Sequence, residues 1–204
     1  MEVKAKILQE SFRLFCRRGI KSVAMDDIAL HLGMSKKTLY KWFENKDEIV
    51  QAVISIHLNA IEEGCGQLSG CSENAVDELI KIRAMHKKLF AELPPSLFFD
   101  LQKYHPAAWQ IFNEYKAKYI LAKVKDNMRR GMAEGYFRED LDVEIMARLR
   151  MAQIELVFNP DIFPPDQFNV GEVQLECLEH YLLGIATLKG HKLINKYKQV
   201  AEEE

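Results

Sequence analysis

The sequence predicts an all-α protein: an N-terminal three-helix module built round a helix-turn-helix, followed by a larger helical body. Apolar residues recur at helical spacing, as Ile7, Leu8, Phe12 and Phe15 do in the first segment. A glycine stop and a serine start between Met25 and Val50 mark two short helices joined by a tight turn. Charge divides the chain as well. Residues 1–46 carry ten Lys/Arg against five Asp/Glu, and the remainder eighteen against twenty-five, so a net charge of −2 conceals a basic head on an acidic body. At 204 residues the chain can hold one sizeable core with a small appended domain.

The opening helix is expected over residues 2–18, closed by Arg17-Arg18-Gly19. Asp26 and Asp27 load the first turn of the next helix, where acidic side chains complement the positive end of the helix dipole, and Ile28, Ala29 and Leu32 point inward. Gly33 stops that helix, since glycine takes the left-handed backbone that a short turn needs. Met34 plugs the corner, and Ser35 can cap the amides of a second helix, Lys36 to Phe43. Leu39 and Phe43 face the core. Lys36, Lys37, Thr38, Tyr40, Lys41 and Trp42 remain outside, a mixture of cations, hydroxyls and aromatic edges suited to phosphates and base edges. Such a layout places the second helix in a DNA major groove. Taken alone, that helix reads as a solvated one with incidental lysines; its union with the turn and with Asn45-Lys46-Asp47-Glu48 weighs the other way.

The run from about Gly19 to Val50 resembles the DNA-binding domain of the tetracycline-repressor (TetR) family of bacterial regulators. The matching residues are Ile28-Ala29, Leu32-Gly33, Ser35-Lys36-Lys37-Thr38-Leu39-Tyr40, Trp42-Phe43 and Lys46. The resemblance implies a DNA-binding domain over 1–46 and a helical effector-binding and dimerisation domain over 47–204. It makes Ser35, Lys36, Lys37, Thr38, Tyr40, Trp42 and Lys46 the DNA-binding residues. Lys36, Tyr40 and Lys46 are expected on phosphates, and Lys37, Thr38 and Trp42 at base edges. Two positions depart from the family pattern. Val23 and Ala24 stand where Thr or Ser is common, so capping of the next helix falls to Ser22, the Met25 amide or the aspartates; Lys37 stands where a small residue is frequent. By the same resemblance the chain is a homodimeric, ligand-responsive repressor of a near-palindromic double-stranded DNA operator, released by a small, largely apolar effector. No cofactor is expected.

In the body, a linking helix over 46–63 carries Ile49, Val53, Ile56, His57 and Ala60, and the glycine-rich GCGQLSGCS is expected to break it. Helices follow over 73–93, from Pro94-Pro95 to Lys103, and from Pro106 to about Glu134. After the corner Gly135–Leu141, two more are expected over 142–157 and 170–189, separated by the proline-bearing NPDIFPPDQF. On the last, Val173, Cys177, Tyr181 and Ile185 form one ridge with Leu178 and Leu182 beside it, wider than a single core stripe. The resemblance makes Val173, Cys177, Tyr181, Leu182 and Ile185 a dimer interface; ordinary core packing is the rival reading for each. Aromatic side chains concentrate between Leu89 and Ile120. Phe98, Trp109, Phe112, Tyr115 and Met151 are the candidate effector-lining residues, with His86, His105 or Tyr115 as polar anchors, although most such residues, taken singly, are core.

Charges at Glu2, Lys4, Lys6, Glu10 and Arg13 interrupt any secretory leader, and no apolar run approaches the ~20 residues needed to span a bilayer. A cytoplasmic chain is expected, with Cys16, Cys65, Cys71 and Cys177 as reduced thiols. The Cys65/Cys71 spacing raises a redox pair or half a metal site but fits no zinc pattern. No nucleophile elbow, phosphate loop, dinucleotide fingerprint or metal-ligand spacing supports an enzyme. The alternatives are a TetR-like protein governed by a protein partner and, less favoured, an enzyme acting on a small apolar molecule.

Overall fold

The computed structural model describes residues 3–94 and 96–199. Their helices, in order, are α1 (Val3–Arg18), α2 (Met25–His31), α3 (Lys36–Tyr40), α4 (Lys46–Cys71), α5 (Ala75–Glu92), α6 (Ser96–Tyr104), α7 (Pro106–Tyr115), a π-helical turn (Lys116–Ile120), α8 (Leu121–Ala133), α9 (Val143–Leu156), α10 (Val170–Ile185) and α11 (Leu188–Lys198). Glu2 and Pro95, placed in helices from the sequence, lie outside the described residues. The chain packs as two units. One is Met1–Ile61 with Glu92–Tyr115; the other is Glu62–Ala91 with Lys116–Glu204. This packing division differs from the expected boundary after residue 46, because the first unit also takes in α4 as far as Ile61, α6 and α7.

In the first unit, α1 buries Ile7, Leu8, Leu14 and Phe15 along one stripe, and these meet Ile20, Val23, Ile28, Leu39, Phe43, Ile49 and Val53. Leu97, Leu101 and Ala108 of α6 and α7 belong to the same core. The α3 helix is shorter than expected. The amides of Lys41 and Trp42 bond three residues back, to Thr38 and Leu39 at 3.3 and 2.9 Å, which tightens the final turn out of α-geometry while Phe43 stays buried.

The glycine-rich segment does not break α4, which runs on to Cys71. Ile61, Cys65, Leu68 and Ser72 are turned inward at three- and four-residue spacing, and that stripe outweighs a glycine cost of roughly 1 kcal/mol per position. Continuity also removes the redox reading. Six residues along a helix rise about 9 Å, beyond the roughly 7 Å limit between bridged Cα atoms. Both thiols are free, and burial pushes that of Cys65 up to about 11. Among the described residues no group of side chains has metal-ligand arrangement.

The second unit is built on Ala75, Val76, Met128, Phe137, Leu178, Leu182, Ile185 and Ile194. The long helix expected over 106–134 is interrupted by the π turn, where buried Lys116 places its Nζ 2.8 Å from Glu155 Oε1. The last expected helix stops at Ile185, and α11 follows it. Ala186 is extended and bridges Phe137; Arg138 N donates to Ile185 O and Thr187 N to Tyr136 O, each at 2.9 Å. Thr187 Oγ1 then caps α11 through Gly190 N at 3.1 Å. A Cβ at Gly190 would lie 2.2 Å from Tyr136 O, so only glycine fits there.

The expected dimer ridge needs correction. Tyr181, Leu182 and Ile185 are 4%, 3% and 0% exposed within their own chain, which leaves almost no surface for a second copy. Val173 and Cys177 are half-buried. Apolar side chains that do face outward in the second unit include Ile145 (66% exposed), Leu149 (49%) and Leu156 of α9, besides Ile162, Phe168 and Leu188, with Gly184 of α10 open and nothing within 4 Å of its would-be Cβ.

Candidate functional site

The turn between α2 and α3 is held by backbone and short polar side chains. Ala24 offers no capping oxygen; instead its amide donates to Asp27 Oδ2 at 2.8 Å, and Arg18 lies 3.2 Å from the other oxygen. The Ala24 amide, helped by Arg18, holds the Asp27 carboxyl below its ordinary range. Asp27 thus makes the carboxylate half of a capping box while the hydroxyl half is missing, and the Ser22 hydroxyl donates to Arg18 O. Gly33 takes φ +63°, and Met34 N returns to Ala29 O at 3.0 Å. Ser35 Oγ accepts the Thr38 amide at 3.1 Å and pairs with Thr38 Oγ1 at 2.8 Å. Leu39, fully buried, pins the short α3 to the core.

Around that pin, α3 and the turn after it expose Lys36, Lys37, Tyr40 and Trp42. Lys36 pairs with Asp26 across the surface, and such exposed pairs contribute little, so a phosphate can exchange for the carboxylate. Thr38 is half-buried, its hydroxyl shared with Ser35. Lys46 stands apart. Its Nζ donates to Ile20 O and Val23 O, both at 3.0 Å, so the expected phosphate contact is corrected to a clamp on the α1–α2 loop. The structure gathers Ser35, Lys36, Lys37, Thr38, Tyr40 and Trp42 on one short element and turns Lys46 inward.

The sequence signature of bacterial regulatory proteins of the tetR family matches residues 7–53. The chain is 26% identical over 191 residues to the uncharacterized HTH-type transcriptional regulator YvaF of Bacillus subtilis, covering 88% of this chain and 94% of that one. It is 22% identical to the transcriptional repressor KstR2 of Mycobacterium tuberculosis, over 71% of this chain and 74% of that one. The solved regulator FadR from Bacillus subtilis, in complex with stearoyl-CoA, shares the fold with a TM-score of 0.68 at 19% identity, over 89% of this chain and 98% of that one. Residues 7–53 carry the DNA-binding domain of the tetR family, and the chain is similar to HTH-type transcriptional regulators over most of its length. It is a DNA-binding transcriptional regulator.

The candidate effector residues fall into both units. Phe112 lies 5.2 Å from Trp109 and 6.3 Å from Phe98, ring to ring, and Trp109 packs on the first core. Tyr115 ends α7 half-buried, and Met151 is half-buried in the second unit. His105 is not free to anchor a ligand through Nδ1, which lies 2.5 Å from Asp47 Oδ1 in the first turn of α4. Nearby, Asp100 Oδ2 accepts the Lys21 amide at 2.9 Å, and Lys21 Nζ sits 4.8 Å over the Tyr104 ring. Asp47, Asp100 and His105 therefore tie α6 to the DNA-binding head, a role the sequence did not disclose.

A second polar group, of which the sequence offered His86 as a polar anchor but not Arg150, lies in the second unit. Arg150 is 3% exposed on the inward stripe of α9, between Ala147 and Ile154. Its guanidinium stands 5.6 Å over the Tyr181 ring and 3.5 Å from Gln153 Oε1; among the described residues no carboxylate pairs with it. Burial draws its pKa down to about 10. His86, lowered to about 4 by burial and then by the Arg150 charge, is neutral. His86 Nδ1, Tyr181 Oη, Gln174 Oε1 and Arg83 Nε are buried without a hydrogen-bond partner among the described residues. A desolvated cation–π contact contributes about 2 kcal/mol against several kcal/mol for burying a cation, so the Tyr181 ring offsets the burial of Arg150 only in part. The signal was present in the sequence: an arginine at the spacing of the apolar stripe, where α9 otherwise turns Ala147 and Ile154 inward.

Proposed function

We propose that the protein is a homodimeric repressor that reads a near-palindromic operator through two copies of α3 and leaves it when a small organic effector binds the body. The observation carrying this reading is the Ser35-capped α3, pinned by Leu39 and presenting Lys36, Lys37, Tyr40 and Trp42 outward. Lys36 and Tyr40 position the head on phosphates; Lys37 and Trp42, with Thr38, meet base edges. Homodimerisation draws support from the outward Ile145 and Leu149 and from the open Gly184. Repression draws support from the relative KstR2, and ligand response from FadR, whose structure contains stearoyl-CoA. Packing of α6 and α7 with the head, through Asp100–Lys21 and His105–Asp47, supports a route for release: moving α6 disturbs the first turn of α4 and the loop before α2. The coupling is bounded by the effector's difference in affinity between the two states. In this reading the protein works in the cytoplasm without cofactor or catalysis; among the described residues no helix is long and apolar enough to cross a membrane.

The test is selection of genomic fragments by the purified protein at stated salt, followed by sequencing. Enrichment of one inverted repeat supports the proposal. A folded dimer that enriches no sequence would sink it.

A further inference from the structure

We propose that Arg150, with Tyr181 and His86, forms a carboxylate-binding site, so that the effector is an organic acid with an apolar body. The inference rests on the ligand-responsive reading above and specifies its chemistry. Arg150 is a buried cation that no carboxylate of the described chain neutralises. Its planar fork of donors matches a carboxylate in two parallel hydrogen bonds. The groups around it are the complement an anion needs. Tyr181, whose ring the guanidinium faces, carries a buried, unpartnered hydroxyl, and His86 a buried, unpartnered Nδ1. Gln174, two turns before Tyr181 on the same inward face of α10, carries a further buried oxygen without a partner.

Three elements contribute to this arrangement, which sets it apart from an isolated buried charge. Arg150 comes from α9, Tyr181 and Gln174 from α10, and His86 from α5. Gly171 lets α10 close against α5, since a Cβ there would lie 2.5 Å from Phe90 Cβ, and the Phe90 ring stands edge-on to His86 at 6.0 Å. Phe90, Leu178 and Ile154 supply apolar surface beside the polar group. Neutral His86 adds no second positive charge, so a single anionic group balances the site.

The experiment uses the full chain and three probe acids, decanoate, phenylacetate and 2-naphthoate, each beside its neutral primary amide. Thermal unfolding and calorimetric titration are followed in the natural protein, in Tyr181→Phe, which deletes one oxygen, and in Arg150→Met. At least one acid is expected to raise the unfolding temperature in a dose-dependent manner while its amide does not. Tyr181→Phe is expected to weaken that acid's binding at least about fivefold and Arg150→Met by more than about tenfold. Unliganded Arg150→Met is expected to unfold at or above the natural temperature, because the uncompensated cation is gone. Binding of amides as tightly as acids, or no response to any acid, overturns the site, as does an Arg150→Met protein that unfolds well below the natural one and retains acid binding. Operator selection is read separately, so loss of this proposal and loss of the regulator reading give different results.

Discussion

At the scale of single residues, lysines of similar appearance in the sequence separate into two physical roles. Lys36 lies on the surface in a weak pair, whereas Lys46 donates to two loop carbonyls. Lys36→Ala is expected to reduce the slope of log affinity against log salt by about 2 for a dimer, one contact per head. Lys46→Ala should leave that slope unchanged and lower stability by about 1–3 kcal/mol; chemical denaturation and salt titrations of operator binding check both. His86 carries a pH dependence. Its folded pKa lies below the unfolded value of about 6.5, so its contribution is complete above that pH and is lost as pH falls towards 4. The loss amounts to about 2 kcal/mol between pH 7.5 and 5, and His57, also lowered by burial, acts in the same direction. Denaturant midpoints across this range should fall more steeply for the natural chain than for His86→Phe.

At the scale of elements, glycines divide by surroundings rather than by propensity. Gly66 and Gly70 lie exposed within α4 with nothing within 4 Å of a would-be Cβ, so alanine at either should stabilise by about 0.5–1 kcal/mol. Gly190→Ala forces a methyl against Tyr136 O and should cost about 2–3 kcal/mol; thermal unfolding checks both signs. The same contrast explains what the sequence disclosed. The helix-turn-helix was legible because its determinants are local: the acidic start at Asp26-Asp27, the left-handed Gly33 and the Ser35 cap all act within a few residues. The length of α4 was obscured by its glycines, although the Ile61, Cys65, Leu68 and Ser72 stripe carried the answer. The α10–α11 break was hidden more deeply. Thr187 ends one helix only by meeting the 135–137 corner, a contact that no local pattern encodes. Lys46, His105 and Arg150 were misread or missed for the same reason, since each owes its role to a partner distant in sequence.

At the scale of the molecule, the proposed reading of a near-palindromic operator calls for two heads held together, and the ridge Tyr181–Ile185 is already committed to the core of its own chain. The outward Leu149 offers the test. Leu149→Glu should leave the helical fold intact, shift sedimentation towards the monomer and lower operator affinity by at least about tenfold, because half-site contacts no longer add. A dimer unchanged by that substitution would move the interface away from α9. Within the second unit, the paired amides of Arg138 and Thr187 have a further meaning. Helical amides can exchange with solvent through local fraying, but these two donate across a junction between segments far apart in the chain. Their hydrogens exchange when the corner and the α10–α11 break part company, so their deuterium uptake reports the opening of that junction, and a compound that stabilises the junction should slow those two amides together.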